Sequence, residues 1–127
     1  MRSTLGALVL VAAIACGPAG VTRPAISNAQ LAAQIKDGHA PLVLDVRTSE
    51  EFEAGHIPGA VNIPIDQLPS RLGELRVAKT DEIVVHCERG PRAAKAEALL
   101  EQSGYTGVVD LAGHMNGWRE AGLPVAR

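Results

Sequence analysis

Apolar and polar positions along this chain fall into blocks that switch period, from helical spacing to short unbroken apolar runs and back. After Ser27, the residues Leu31, Ala32 and Ile35 recur on one helical face, and Gly38 stands where a left-handed C′ residue belongs. This predicts an amphipathic helix capped by Ser27. Residues 42–46, Leu-Val-Leu-Asp-Val, are bounded by Pro41 and by Arg47-Thr48-Ser49 and predict a buried strand. Thr48 and Glu51 have the spacing of a capping box, so a short helix is expected from Thr48 to near Gly55. Residues 60–63 predict a second strand. Asp66 is the expected cap of a helix reaching about Leu75, with Pro69 in its first turn. Glu82–His86 has consecutive apolar residues typical of a strand covered on both faces. Pro91–Gln102 places Ala94, Ala98 and Leu99 at helical spacing, with Gly104 at the stop. Gly107–Leu111 predicts a further strand, and residues 114–121, containing Trp118, a closing helix. Strands that alternate with helices imply an α/β fold, a mostly parallel sheet with helices on both faces.

The first residues follow a different logic. Arg2 precedes an uncharged run over residues 5–15 that ends in small side chains, the pattern of a secretory signal peptide. The run is too short for a permanent membrane span, which needs about 20 residues. Ala13-Ile14-Ala15-Cys16 fits an Ala-x-Ala cleavage site. It also resembles a bacterial lipobox in which Cys16 becomes the lipidated first residue, with Ala13 in place of the more usual Leu. Residues 17–26, with Gly17, Pro18, Gly20 and Pro24, lack apolar periodicity. The expected division is therefore a signal peptide at 1–15, a lipid-anchor site or tether at 16–26, and one domain at 27–127. Export to the periplasm is expected, with a membrane tether through a lipid on Cys16.

Composition narrows the function. With aromatic residues at 2%, the core must be aliphatic and a base-stacking platform is excluded. A formal charge of −2, without a long Lys/Arg run, argues against nucleic acid as a partner. The histidines lack metal-ligand spacing and no CxxC occurs, so neither a metal nor another cofactor is expected. His56 reads as a backbone hydrogen-bonder in a Gly-rich turn and His86 as a strand residue; His114, near the closing helix, reads as structural, with a place at the pocket rim as the alternative. Trp118 reads as core. The only cysteines are Cys16 and Cys87. If Cys16 carries lipid, Cys87 has no intramolecular partner, and an odd thiol in an exported chain is a candidate reactive group. The competing reading is an inert buried thiol.

Cys87 lies at the carboxyl end of a predicted strand, where parallel α/β sheets build their sites. In Cys87-Glu88-Arg89-Gly90-Pro91-Arg92, Gly90 permits a positive φ angle. Successive amides can then point inward as an anion-binding nest at the start of a helix. Together with Arg89 and Arg92 these groups should favour thiolate over thiol. The same donors suit an anionic persulfide. Pro91 supplies no N–H. Glu88, if turned to solvent, leaves the loop at a formal +1. The expected substrate-binding residues are Glu88, Arg89, Gly90, Pro91, Arg92 and Ala93 around Cys87. Asp45 and Arg47, at a neighbouring strand end, are expected to form a network that orders the loop.

Three blocks carry a family resemblance over residues 27–125. They are Asp45-Val46-Arg47 with Glu51-Phe52 and the run Gly55-His56-Ile57-Pro58-Gly59-Ala60-Val61-Asn62-Ile63-Pro64; the Cys87 loop; and Gly113, Gly117-Trp118 and Gly122-Leu123-Pro124-Val125. On these residues the chain resembles the single-domain rhodanese family. The resemblance implies a single rhodanese-like domain with a five-stranded parallel sheet flanked by helices. It further implies a thiosulfate sulfurtransferase in which Cys87 attacks the outer sulfur of thiosulfate or a similar donor and passes it from a persulfide to a thiophilic acceptor. The alternative is a rhodanese-fold sulfur carrier or binding module without turnover, although such binding modules typically lack the loop cysteine. Related phosphatases place five residues between Cys and Arg; here Glu88, Arg89, Gly90 and Pro91 make four, the sulfur version. Ala93 replaces the Ser or Thr common in the family, and Pro91 is also unusual, which bears on rate and donor preference. The charged loop favours an anionic inorganic donor over mercaptopyruvate. A monomer is expected.

Overall fold

The computed structural model describes residues 24–127, so the expected leader and the expected lipidation at Cys16 lie outside the described residues. In chain order the elements are β1 (Ala25–Ile26), α1 (Asn28–Lys36), β2 (Leu42–Asp45), α2 (Ser49–Ala54) and β3 (Val61–Asn62). They continue with α3 (Leu68–Arg71), which tightens into a 3-10 turn at Leu72–Glu74, then β4 (Glu82–His86), α4 (Pro91–Gln102), β5 (Gly107–Leu111) and α5 (His114–Glu120). All pairings between these strands are parallel, and the strand order is β1-β5-β4-β2-β3.

Local chemistry explains most element boundaries. Ser27 caps α1 and Thr48 caps α2, each through a complete capping box, with Gln30 and Glu51 respectively. Pro91 opens α4 at a position where its missing N–H is not needed. Two expectations are corrected. Asp66 caps nothing: the Gln67 and Leu68 amides both donate to the Pro64 carbonyl, and α3 begins after Gln67 without a side-chain cap and lasts a single turn. The tether does not extend through residue 26, because Ala25 and Ile26 add the edge strand β1. Asp110 N–H donates to Pro24 O and Ala112 N–H to Ile26 O, pairing β1 with β5. A strand this short has no periodicity to read and is defined only by its neighbour.

Alternation along the central strands divides the core into two layers. Leu44, Ile83 and Val85 face one side, where Leu68 of α3 and Ala93, Ala96 and Leu100 of α4 cover them. Val43 and Val84 face the other, against Leu31 of α1 and Met115 and Trp118 of α5. The Trp118 indole N–H donates to Pro124 O at 2.8 Å, which closes the C-terminal segment over the second layer. Among the described residues no helix is long and apolar enough to cross a membrane. With both faces covered, the chemistry is left to the carboxyl edge, where β2, β4 and β5 end side by side.

Candidate active site

Cys87 follows the last residue of β4, and α4 starts at Pro91, so residues 88–90 must turn sharply. Gly90 makes the turn possible with φ +132°, a left-handed conformation that strains any other residue. Its amide then donates to Cys87 Sγ at 3.0 Å. The amides of Ala93 and Arg89 also stabilise the sulfur as an anion. The loop carbonyls are held from the other side, since the free first-turn amides of α5 donate from Met115 to Cys87 O and from Asn116 to Glu88 O. The predicted amide nest is therefore present. Cys87 itself is 1% exposed.

Burial raises the Cys87 pKa, but the His114 side chain and the Ala93, Gly90 and Arg89 amides outweigh it, and the thiol falls from 9.0 to about 7. Of the groups expected to favour the thiolate, the amides act directly on the sulfur, whereas the Arg89 and Arg92 guanidinium groups are not among the main causes. Both terminal guanidinium nitrogens of Arg92 are directed to Glu51, with Nη1–Oε1 at 2.6 Å and Nη2–Oε2 at 3.0 Å. Arg89 is exposed on the loop. Glu88 does not stand free in solvent either. It is bonded by both terminal nitrogens of Arg119 and by Arg47 Nη1 at 3.3 Å, and the Arg119 bond foremost holds its pKa down.

Asp45 and Arg47 form a network that touches the Cys87 loop through Glu88. Both are fully buried. The Asp45 carboxylate accepts from Arg47 N, Nε and Nη2, the last at 2.7 Å. Arg47 Nη2 also donates to Gly55 O at 2.9 Å, fastening the end of α2, while Nη1 reaches Glu88 in the loop. Asn62 Nδ2 donates to the carbonyls of Asp45 and Arg47, tying β3 to the same corner. His86 lies in this layer with Nε2 3.6 Å from Asp45, its pKa lowered by burial. His56 bonds Phe52 O through Nδ1 at 2.8 Å and stacks on the Phe52 ring, a structural role. Ala93 is buried behind the sulfur, and Pro91 is exposed at the head of α4.

One residue for which the sequence favoured a structural role over a place at the pocket rim lies beside the Cys87 loop. His114 Nδ1 accepts the Cys87 amide N–H at 3.2 Å, and Nε2 lies 3.4 Å from Asp110 Oδ1. Its signal in the sequence was faint: His114 follows a strand end, as Cys87 does, but nothing there states that β5 and β4 are neighbours. A separate apolar groove of about 520 Å³ runs between α1 and the C-terminal segment, lined by Ile35, Pro58, Trp118 and Leu123 among others; no residue of the Cys87 loop borders it.

A buried, acidified thiol in an amide-lined loop at the carboxyl edge of a parallel sheet is an arrangement suited to sulfur-centred nucleophilic chemistry. The profile of the rhodanese-like domain matches residues 27–121, and the chain belongs to that family. It is 34% identical over 100 residues to a sulfurtransferase of Allochromatium vinosum, covering 79% of this chain and 92% of the relative. It is 35% identical over 109 residues to the human thiosulfate:glutathione sulfurtransferase, covering 76% and 94%. Among solved structures, the rhodanese-related protein from Thermoplasma volcanium superimposes with a TM-score of 0.70 at 35% identity, covering 81% of this chain and 97% of its own. Sulfur transfer as the general chemistry is supported by these relatives.

Proposed function

We propose that this chain is a sulfurtransferase that moves sulfane sulfur from thiosulfate, or a similar anionic donor, to a thiophilic acceptor through a Cys87 persulfide. The observation that carries the reading is the Cys87 thiol, acidified to about 7 and met by the Gly90 amide at 3.0 Å. The thiolate attacks the outer sulfur of the donor and the bond to the inner sulfur breaks, so that sulfite leaves with the electron pair. The amides that favour a thiolate favour the terminal persulfide anion for the same reason. Arg89, exposed at the loop, is the guanidinium best suited to meet an anionic donor, because Arg92 is occupied by Glu51.

That occupation favours a second reading, a sulfur carrier that loads once and turns over slowly. We further propose that the domain works outside the cytoplasm, on the strength of the leader at residues 1–15 and the Cys16 acylation pattern. Incubation with thiosulfate followed by intact-mass measurement tests the central reading. One added sulfur per chain, absent in Cys87→Ala, is expected; no gain, or an equal gain in Cys87→Ala, refutes it. Repeated turnover with cyanide or a small thiol as acceptor separates enzyme from carrier.

A further inference from the structure

Glu88 is the acidic residue of the Cys87 loop, and the chain places it directly after the nucleophile. Consecutive Cα atoms lie about 3.8 Å apart, so an unrestrained Glu88 carboxylate can swing toward the path to the sulfur. Its side chain is 26% exposed, too little for solvent alone to screen its charge. The restraint comes from α5. The Met115 and Asn116 amides donate to the Cys87 and Glu88 carbonyls, which lays the first turn of α5 along the loop. Arg119 stands one turn further on, hence on the same helical face, and helical side chains lean back toward the N-terminus. Its guanidinium thus returns to the loop and grips Glu88 with both terminal nitrogens, Nη1 on Oε1 and Nη2 on Oε2, the latter at 3.1 Å. Arg47 Nη1 adds a contact at 3.3 Å, but Arg47 is already committed to Asp45.

We propose that Arg119 is a specificity-determining residue that acts through Glu88: it pins and cancels the loop carboxylate, and so keeps the approach to Cys87 open to anionic sulfur donors. The inference deepens the sulfur-transfer reading and rests on it for the identity of the donor. Arg119 is a positioning residue in this role, because its terminal nitrogens are bonded to Glu88.

The neighbouring cations are paired in the same way, Arg92 with Glu51 and Arg47 with Asp45, and exposed Arg89 is left to attract the donor. Without Arg119, Glu88 keeps only the Arg47 contact. The released carboxylate then offsets Arg89. It repels a dianion such as thiosulfate more than a monoanion, and a neutral molecule not at all. The Glu88 pKa is lowered and that of Arg119 raised, each foremost by the other, in agreement with the geometry.

Reagent charge supplies the test. Cys87 in the full chain is alkylated with neutral iodoacetamide and with iodoacetate, an anion of nearly the same size, and the modified Cys87 peptide is quantified by mass spectrometry. The ratio of the two rate constants at one pH cancels the thiolate fraction and the general accessibility of the sulfur, so a merely structural loss does not move it. Arg119 is half-exposed, and its replacement leaves the core untouched. In Arg119→Gln the iodoacetate-to-iodoacetamide ratio is expected to fall about 3- to 10-fold, and by less at high salt. In a Glu88→Gln background the same substitution should change the ratio by less than about 2-fold, because the carboxylate it restrains is gone. An unchanged ratio in Arg119→Gln overturns the proposal, and so does an equal fall in both backgrounds, which makes Arg119 a direct contact of the anion. Sulfur uptake from thiosulfate, followed by intact mass on the same proteins, should slow in Arg119→Gln. The two readings fail separately: a wild type that takes up no sulfur sinks the sulfur-transfer reading while the alkylation ratios still judge Arg119. Sulfur uptake without a shift in the ratio removes Arg119 and leaves the transfer reading intact.

Discussion

Replacing Asp45 by Asn attacks the corner on which the loop rests. Arg47 is fully buried, and Asp45 accepts from three of its nitrogens, including Nη2 at 2.7 Å. The remaining acceptors are Gly55 O at 2.9 Å and Glu88 at 3.3 Å, the second of which is shared with Arg119. Stranding one member of a fully buried ion pair costs about 3–5 kcal/mol, because the guanidinium keeps its desolvation cost without its counter-charge. Against the roughly 5–15 kcal/mol that holds a domain folded, this is a large fraction. With a urea slope near 1.5 kcal/mol per M, the unfolding midpoint of Asp45→Asn should fall by about 2–3 M. The assay is equilibrium urea unfolding followed by circular dichroism. It should include the double variant Asp45→Asn with Arg47→Met, which removes the stranded charge and should recover at least about 1 kcal/mol of the loss. A loss below about 1 kcal/mol in the single variant, or a double variant no more stable than the single, would refute the claim that the pair supports the fold through mutual charge compensation.

Two further predictions concern the loop and its flank. Glu51 has its pKa lowered from 4.5 to about 2, first by Arg92, so its stabilisation is full above pH 4.5 and is lost as pH falls toward 2. Glu51→Gln, which keeps a capping-box side chain, should therefore be less stable than wild type at pH 7, with the gap closing on acidification; a gap that widens in acid contradicts the sign. Gly90→Ala must hold an Ala at φ +132° with its Cβ 3.3 Å from His114 Nε2, so it should lose about 1–3 kcal/mol in urea unfolding and alkylate more slowly at Cys87. Wild-type stability and alkylation rate in that variant would show that the loop does not need the glycine conformation.

Periodicity and capping alone determined the helical and strand character of most of this chain, because these signals act over a few residues and need no distant partner. The capping boxes at Ser27 and Thr48, the apolar run of β4 and the Pro91 start of α4 were all legible in that way. So was Cys87, since a cysteine directly after a buried strand and before a glycine-turned helix start is a local pattern with chemical meaning. Asp66 misled because a backbone turn onto Pro64 O satisfied the amides a cap would have taken. Tertiary structure decided the rest. It made a strand of Ala25–Ile26 by offering it the edge of β5, and it paired Arg92 with Glu51 and Glu88 with Arg119 across separations of 41 and 31 residues. It also brought His114 to Cys87 over a separation of 27 residues. Strand order sets which ends converge, and that order arises from packing two aliphatic layers, which no short stretch of residues encodes.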